Sequence, residues 1–522
     1  MAEEQIDRIS QLPDDILRSI LSLLPTRDLA RTNLVSKAWR KLFAFSSLPV
    51  LMFQSPDFLA APRKDTDVSS FINAIDSYLK LRQKDASLEK LRLHVHLNDV
   101  KSLLDSWIDA ALERKVKELD LYILPRGRER RNPYSLPAKI FAATTITVLS
   151  LQRVIMEIYG DIDLPALRKL HLGEIQCDEQ PIQKLISSCP LIDCLRIESC
   201  HGLQKLHVSG LANLRRLGVL WCYELKRIEI NAPSLQYLMY QQGRRPCDVV
   251  LRASEFLREL TFWDSTITGD LFQNLVSRLP SLEGLGIRCT KLQRIEISDH
   301  QLKRLDLSLT EKQSKAKLKI DTPNLQSFKY DGHRMPLASL ISSMNTSSLQ
   351  EAQIHFLGSD NYSHLFIPQL KEFFEKLKHC QVIKLLIKSK RELILPRKLR
   401  PILSPPVYDI KHLNITVSHC CRNHRYIIDR LLWMCHPQTL SISSGTNPKF
   451  VKILYNKFNN KEEHPKCCTS CPIKCWRHYL EDVQIDGDES RLEIDRIIAM
   501  PKPSMYTHSD VRFRLKWRSQ LL

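Results

Sequence analysis

The chain has 522 residues, 43% of them hydrophobic and 26% charged, with a formal net charge of +19. That is the balance of a folded chain long enough for several domains or one long repeat array. No uncharged apolar stretch approaches the length of a bilayer span, and Met1-Ala2-Glu3-Glu4 leads into no apolar run of signal-peptide type. The fifteen cysteines are irregularly spaced and mostly lie in apolar, strand-like segments. They read as free core thiols, and the expected compartment is the reducing nucleus or cytosol.

Residues 7–43 read as three short helices. Pro13 suits a first helical turn, and Asp14 and Asp15 complement the positive end of the helix dipole. Behind them Ile16, Leu17, Ile20, Leu23 and Leu24 recur at helical spacing, until Pro25 ends the helix. Thr26 caps a second helix over 27–34, and a third carries Ala38, Trp39, Leu42 and Phe43. Three helices this small cannot bury so many large apolar side chains among themselves, so the surplus faces something else.

The segments Leu12-Pro13-Asp14-Asp15-Ile16-Leu17, Ile20-Leu21-Ser22-Leu23-Leu24-Pro25, Asp28-Leu29 and Leu34-Val35-Ser36-Lys37-Ala38-Trp39-Arg40 resemble an F-box. That resemblance implies docking on a Skp-type adaptor, and through it on a cullin. The residues it assigns to adaptor contact are Leu12, Pro13, Ile16, Leu17, Ile20, Leu24, Leu29, Val35 and Trp39.

A polar link, Ser55 to Asp67, follows, and Phe71, Ile72, Ile75, Tyr78, Leu79 and Leu81 predict a helix. Then one pattern, apolar-x-x-apolar-x-apolar, recurs about seventeen times. Its first copies are Leu88-Glu89-Lys90-Leu91-Arg92-Leu93 and Val116-Lys117-Glu118-Leu119-Asp120-Leu121, and later ones begin as far on as Val382, Ile410 and Leu480. Each unit supplies one short strand whose apolar side is covered only by stacking on its neighbours, the arrangement of a solenoid. Starts at 167 and 192, 235 and 257, 257 and 282 are far enough apart for a strand and a helix. Starts at 203, 214, 225 and 235, and again at 282, 292 and 302, are not. The return limb in those coils is expected to be extended, giving strands on both sides. Helices fit over 181–188 and 269–278.

Cys189-Pro190-Leu191-Ile192-Asp193-Cys194-Leu195-Arg196-Ile197, Ala232-Pro233-Ser234-Leu235-Gln236-Tyr237-Leu238 and Thr322-Pro323-Asn324-Leu325-Gln326-Ser327-Phe328 resemble the irregular leucine-rich repeats of plant F-box proteins. The consensus Asn that builds a ladder inside such coils is often missing here. From Pro368 onward the spacing predicts helices over 370–377, 426–434 and 449–455, and strands over 382–387, 410–417 and 438–442. Lys474-Cys475-Trp476-Arg477-His478-Tyr479-Leu480-Glu481-Asp482-Val483-Gln484-Ile485 resembles the C-terminal region of plant F-box/LRR proteins of the FBD-related kind. The last strand alternates Val511, Phe513, Leu515 and Trp517 with Arg512, Arg514, Lys516 and Arg518, as a terminal repeat with a charged outer face requires.

The expected fold class is α/β: a three-helix F-box over 1–52, a leucine-rich-repeat solenoid of parallel strands over 53–400, and an FBD-like continuation and cap over 401–522. No Gly-rich phosphate loop, dinucleotide fingerprint or nucleophile elbow appears, and no catalytic residue is assigned. Cys468, Cys471, Cys475 and His478 have the donor types of a tetrahedral zinc site, and Cys420, Cys421 and His424 form a weaker echo. The second pair of the first set sits too close to the first for common structural sites, and the reading taken is a cysteine-rich loop with no cofactor. The positive charge is largely diffuse. Its denser parts are residues 371–430, with 14 Lys and Arg against 5 Asp and Glu, and the run Arg126, Arg128, Arg130, Arg131. Both read as solvated surface rather than as nucleic-acid or inositol-phosphate sites. The expected role is a substrate-recognition subunit of an SCF-type ubiquitin ligase whose repeats bind a protein. The alternative is a basic repeat scaffold or receptor for nucleic acid or an anionic small molecule.

Overall fold

The computed structural model describes residues 12–23, 50–54, 76, 88–124, 133–242, 245–264, 269–288, 294–310, 317–332, 347–357, 366–388, 407, 410–418, 424–459, 475–499, 507 and 509–518. They divide between two compact units, residues 1–257 and 258–522. Apart from Asp76, which is helical, the helix expected over 71–81 lies outside the described residues, as do the two later F-box helices.

In the first unit, eight parallel strands follow one another in chain order, each paired with the next. They are Val50–Gln54, Lys90–His96, Glu118–Leu124, Val148–Gln152, Lys169–Gly173, Cys194–Glu198, Arg216–Leu220 and Tyr237–Gln242. The register is constant, so each apolar position of the repeat forms a column: Leu51, Leu91, Leu119, Leu149, Leu170, Leu195, Leu217 and Leu238 stand side by side. All of them are buried. Full burial of each such leucine contributes about 1.5–3 kcal/mol, and it exists only because the adjacent coil is there.

The return limbs follow the spacing in part. Helices fill two of the wide gaps, α2 (Leu97–Glu113) and α3 (Glu179–Ser188), after α1 (Asp14–Leu23) near the N-terminus. A second parallel sheet forms from Lys205–Val208, Arg227–Asn231 and Asp248–Arg252; the first two lie where starts are about ten residues apart, whereas the last occupies the 235–257 interval, where the spacing allowed a helix and the return limb is extended instead. The expectation of extended limbs on both sides therefore holds. Helix α2 is absent from the sequence reading, although Val100, Leu104, Trp107, Ile108 and Ala111 bury one face of it.

The missing consensus Asn is replaced in two ways. At its position the chain has Val154, Ile175, Cys200 and Cys222, all buried. The Cys200 thiol points to the Leu172 carbonyl at 3.7 Å, and that of Cys222 to the Ile197 carbonyl at 4.0 Å, each in the preceding coil. The backbone supplies the rest. Arg153, Glu174, Ser199 and Trp221 adopt φ of 57°, 50°, 52° and 54° directly after their strands. Their N–H groups donate to the carbonyls of Gly173, Glu198, Leu220 and Gln241 in the following coil, at 2.7–2.9 Å. Four strained residues are thus held by four bonds between coils.

The second unit repeats the scheme. Its parallel strands are Glu259–Asp264, Gly284–Arg288, Arg304–Leu309, Ser327–Gly332, Glu351–Leu357, Val382–Lys388, His412–Val417 and Thr439–Ile442. Arg294–Ser298 and Lys317–Asp321 pair as a second sheet, the first where the starts are about ten residues apart and the second in the wider interval between the starts at 302 and 325. Helices are α4 (Gly269–Val276), α5 (Phe366–Lys376), α6 (His424–Met434), α7 (Pro448–Asn459), the short α8 (Trp476–Tyr479) and α9 (Asp488–Ala499).

The limit at residue 52 falls inside the strand Val50–Gln54, which pairs in parallel with Lys90–His96. Parallel stacking continues past residue 400 to Thr439–Ile442, in the segment expected to continue the array. The cap comes after it. Val511–Trp517 runs antiparallel to Thr439–Ile442, and Leu480–Ile485 runs antiparallel to Val511–Trp517. The pattern copy at Leu480 is therefore no coil of the solenoid, and the last strand lies between two others rather than at the edge. Its alternation holds, with Val511, Phe513 and Leu515 buried and Arg512, Arg514 and Lys516 exposed.

Two outcomes are expected. Gly202 has φ +87°, and an added Cβ would lie 2.7 Å from the Cys177 carbonyl oxygen, whereas Gly210, at φ +75°, has open space. Gly210→Ala should cost about 1 kcal/mol from backbone strain, and Gly202→Ala clearly more, in urea denaturation of the two variants. In the cap, burial pushes the His436 imidazole down to about 3, against a partly compensating Leu432 backbone bond. The ring stacks on Trp517 at 4.0 Å. The unfolded chain binds this proton below about pH 6.5 and the folded one does not, so stability falls by up to about 1.4 kcal/mol per pH unit from there toward pH 3. His436→Phe should flatten that decline between pH 6 and 4, read as the urea midpoint.

Candidate functional site

Helix α1 is ten residues long and begins at Asp14, with Pro13 immediately before it. The Pro13 carbonyl accepts the N–H groups of Ile16 at 3.0 Å and Leu17 at 3.1 Å, which sets the first turn. The apolar residues of this turn do not share one fate. Leu17 is buried at 1% exposure, Ile20 is half-buried, and Leu12 and Ile16 stand 37% and 48% exposed beside exposed Pro13. Five of the nine residues assigned to adaptor contact are described, and three of those form an accessible apolar patch on the first turn. Leu17 is buried. Leu24, Leu29, Val35 and Trp39 lie outside the described residues.

A second surface lies on the outward positions of the first unit's parallel strands. The constant register brings the residue between the two strand leucines of each repeat into one row: Arg92, Asp120, Ser150, His171, Arg196. They line a cavity of about 480 Å³. The Arg92 Nε donates to Asp120 Oδ2 at 2.7 Å, and His94 Nε2 lies 3.4 Å from the same oxygen. Burial opposes ionisation of Asp120, but hydrogen bonding and charge from His94, with help from Ser150 and Arg92, bring its carboxyl down to about 2. The His171 imidazole is also shifted down, by burial and by the Arg196 guanidinium, which favours its neutral form. Around the row, cations meet carboxylates: Lys90 reaches Glu118 at 2.8 Å, Arg196 reaches Glu198 at 2.6 Å, and Arg153 reaches Glu174 at 2.5 Å.

Ser150 Oγ lies 3.4 Å from His171 Nδ1, and His171 Nε2 lies 3.6 Å from Glu198 Oε2. The order of groups resembles a nucleophile, base and carboxylate. The setting differs. Ser150 sits mid-strand with parallel partners on both sides, so the neighbouring N–H groups are engaged in the ladder and offer no oxyanion site. These groups act as a polar lining. None of them was singled out in sequence, since outward positions carry no periodic signal. Writing the repeats one above another at the strand leucines would have exposed the row.

Of the zinc candidates, Cys475 Sγ and His478 Nδ1 lie 3.5 Å apart, while Cys468 and Cys471 lie outside the described residues. Cys475 is buried beside Trp476, whose indole N–H donates to Asp429 Oδ1 at 3.2 Å. Cys420 and Cys421 also lie outside the described residues, and His424 opens helix α6.

Comparison with known proteins agrees with this architecture. The sequence model of the At1g61320/AtMIF1 LRR domain matches residues 81–255 and 245–431, and an F-box-like model matches residues 9–48. The chain is 30% identical over 275 residues to the FBD-associated F-box protein At3g52670 of Arabidopsis thaliana, covering 51% of this chain and 62% of that protein. It is 35% identical over 216 residues to the putative F-box/LRR-repeat protein At5g41840, covering 39% and 37%. To the F-box/FBD/LRR-repeat protein At4g00160 it is 29% identical over 289 residues, covering 53% and 60%. Each match spans less than two thirds of the relative's length. With an F-box-like segment ahead of parallel coils that the repeat model covers from residue 81 to 431, the chain belongs to the F-box proteins with leucine-rich repeats of the At1g61320/AtMIF1 type.

Proposed function

We propose that the protein is a substrate-recognition subunit of an SCF-type ubiquitin ligase, docking through its F-box on a Skp-type adaptor and binding a protein substrate through its repeats. The observation that carries this reading is the start of α1, where Leu12 and Pro13 just before the helix and Ile16 in its first turn are open to solvent while Leu17 is buried. Covering each large apolar side chain there contributes about 1.5–3 kcal/mol before ordering costs. The protein makes and breaks no bond in this role. It holds a substrate lysine near a ubiquitin-charged enzyme carried by the cullin, turning a bimolecular encounter into one within a complex.

The polar row of the first unit supports a protein partner over nucleic acid. Its cations are already matched by carboxylates within 3 Å, which leaves a mosaic of both signs rather than an unbalanced positive stripe. A reducing nuclear or cytosolic setting suits the free thiols of Cys177, Cys189, Cys380 and Cys435.

Co-purification with a Skp-type adaptor tests the docking. A Leu12→Ala, Ile16→Ala variant changes exposed positions and should keep its circular dichroism and thermal midpoint, yet lose adaptor capture at least tenfold. Undiminished capture by that variant would sink the role assigned to α1.

A further inference from the structure

Beside the balanced row on the first unit's outward face runs a second one, taken from the first outward position of each strand: Lys90, Glu118, Val148, Lys169, Cys194 and Arg216. Its early members pair, Lys90 with Glu118 at 2.8 Å. Its later ones do not. Among the described residues neither Lys169 nor Arg216 forms an ion pair, and both are exposed. Burial raises the Cys194 thiol between them, which stays neutral. Of the carboxylates nearby, Glu198 is taken by Arg196 at 2.6 Å. Asp193 is flanked by Arg168 and Arg215, which stand level with it in the adjoining coils and share its main-chain hydrogen bonds at 2.8 Å. The surplus on these three strands is positive.

Next to this surplus is an apolar shelf. Tyr237 and Met239 point outward from the strand Tyr237–Gln242 and are 42% and 36% exposed. The register sets Tyr237 beside Arg216 and Met239 beside Gly218. The Arg216 guanidinium carbon lies 5.2 Å from the centre of the Tyr237 ring. Gly218 offers no side chain, so the stem of Arg196 lies across it, with Cγ 3.6 Å from where a Cβ would stand. That aliphatic stem widens the shelf while its charged head stays at the rim. A second copy of the chain would need roughly 800 Å² of surface on each partner to hold there. Two side chains and a stem instead offer a seat for one large apolar side chain, which points to a short segment of another protein.

We infer that this part of the face binds an extended segment of the substrate in which one large apolar side chain is followed by two carboxylates. The assignment rests on the reading of the repeats as a substrate surface and is independent of adaptor docking. Neighbouring strands stand roughly 4.8 Å apart, so Arg216 is one strand from Tyr237, and Lys169 is three strands away, roughly 14 Å. An extended chain advances roughly 3.4 Å per residue. An apolar residue seated on Tyr237 and Met239 therefore carries carboxylates over Arg216 and Lys169 one and four residues later. Stacking on Tyr237 holds the Arg216 fork in place for a bidentate carboxylate. A nucleic-acid strand fits less well, because Glu198 and Asp193 stand among the cations and repel a phosphate at every nucleotide.

Fluorescence polarisation of the full chain with a labelled glycine–serine peptide tests this. The peptide holds one tryptophan and two glutamates, one and four residues after it. The expected result is saturable binding below millimolar concentration, at least tenfold weaker when both glutamates are glutamine or the tryptophan is serine. A Lys169→Gln, Arg216→Gln variant should weaken it as much. Lys169→Glu, Arg216→Glu should also lose this peptide but take up one with lysines in place of the glutamates, a gain that a misfolded chain could not show. Lys205→Gln, Lys226→Gln removes the same charge from exposed positions on the return limbs and should bind as wild type does. No saturable binding at millimolar peptide overturns the inference, as does equal binding of the glutamine peptide or equal weakening in both glutamine variants. Equal affinity for single-stranded oligothymidylate of the same charge overturns it too, assigning the patch to nucleic acid. Adaptor capture should be unchanged in every variant: capture without peptide binding defeats this inference alone, and peptide binding without capture defeats the docking reading alone.

Discussion

Everything in this protein depends on coils covering one another. A strand such as Cys194–Glu198 has only two inward side chains, Leu195 and Ile197, and cannot hold a fold alone. What makes it stable is a constant register, which sets Leu195 between Leu170 and Leu217. A slip of one residue would turn the leucines to solvent and the row Arg92 to Arg196 into the core. The hydrogen bonds after each strand from Arg153, Glu174, Ser199 and Trp221 oppose such a slip, because each fixes one coil to the next where the chain turns.

That dependence explains what the amino-acid sequence made legible. Inward positions answer to one requirement, apolar bulk at fixed spacing, so the coils, their parallel direction and the extended return limbs follow from the intervals between leucines. The strand Glu351–Leu357 escaped because Ala352 stands where a large apolar residue usually marks the repeat, although it is fully buried. Helix α2 escaped because its periodic face begins immediately after a strand, with no capping side chain to announce it. The antiparallel cap escaped for a deeper reason. Leu480–Ile485 and Val511–Trp517 have the alternation of coil strands, and direction is set by how the intervening chain returns, which local spacing does not encode.

The candidate sites were legible in a different measure. The F-box patch is visible in sequence because its prolines, acidic first turn and apolar surplus are all local. Which of its residues face outward is not local: Leu17 and Ile16 are adjacent and alike, yet one is closed in and the other open. The two polar rows were invisible, since each is composed of residues about twenty to thirty apart in sequence that meet only through the register.

The same register divides labour within each repeat. Buried positions are held to a narrow set of residues, whereas an outward position can change with little cost to the fold, provided its neighbours accommodate it. Glycine shows how far this goes. At Gly284 an added Cβ would meet the Glu259 carboxylate, and its absence lets Glu259 reach across the strand to Arg304, two strands away. At Gly218 the space above the backbone is taken by the Arg196 side chain, 3.6 Å from where a Cβ would stand. Removing a side chain in one coil thus frees its neighbour to lie across the sheet. A repeat array can therefore reshape its outward surface coil by coil without disturbing the leucine columns beneath.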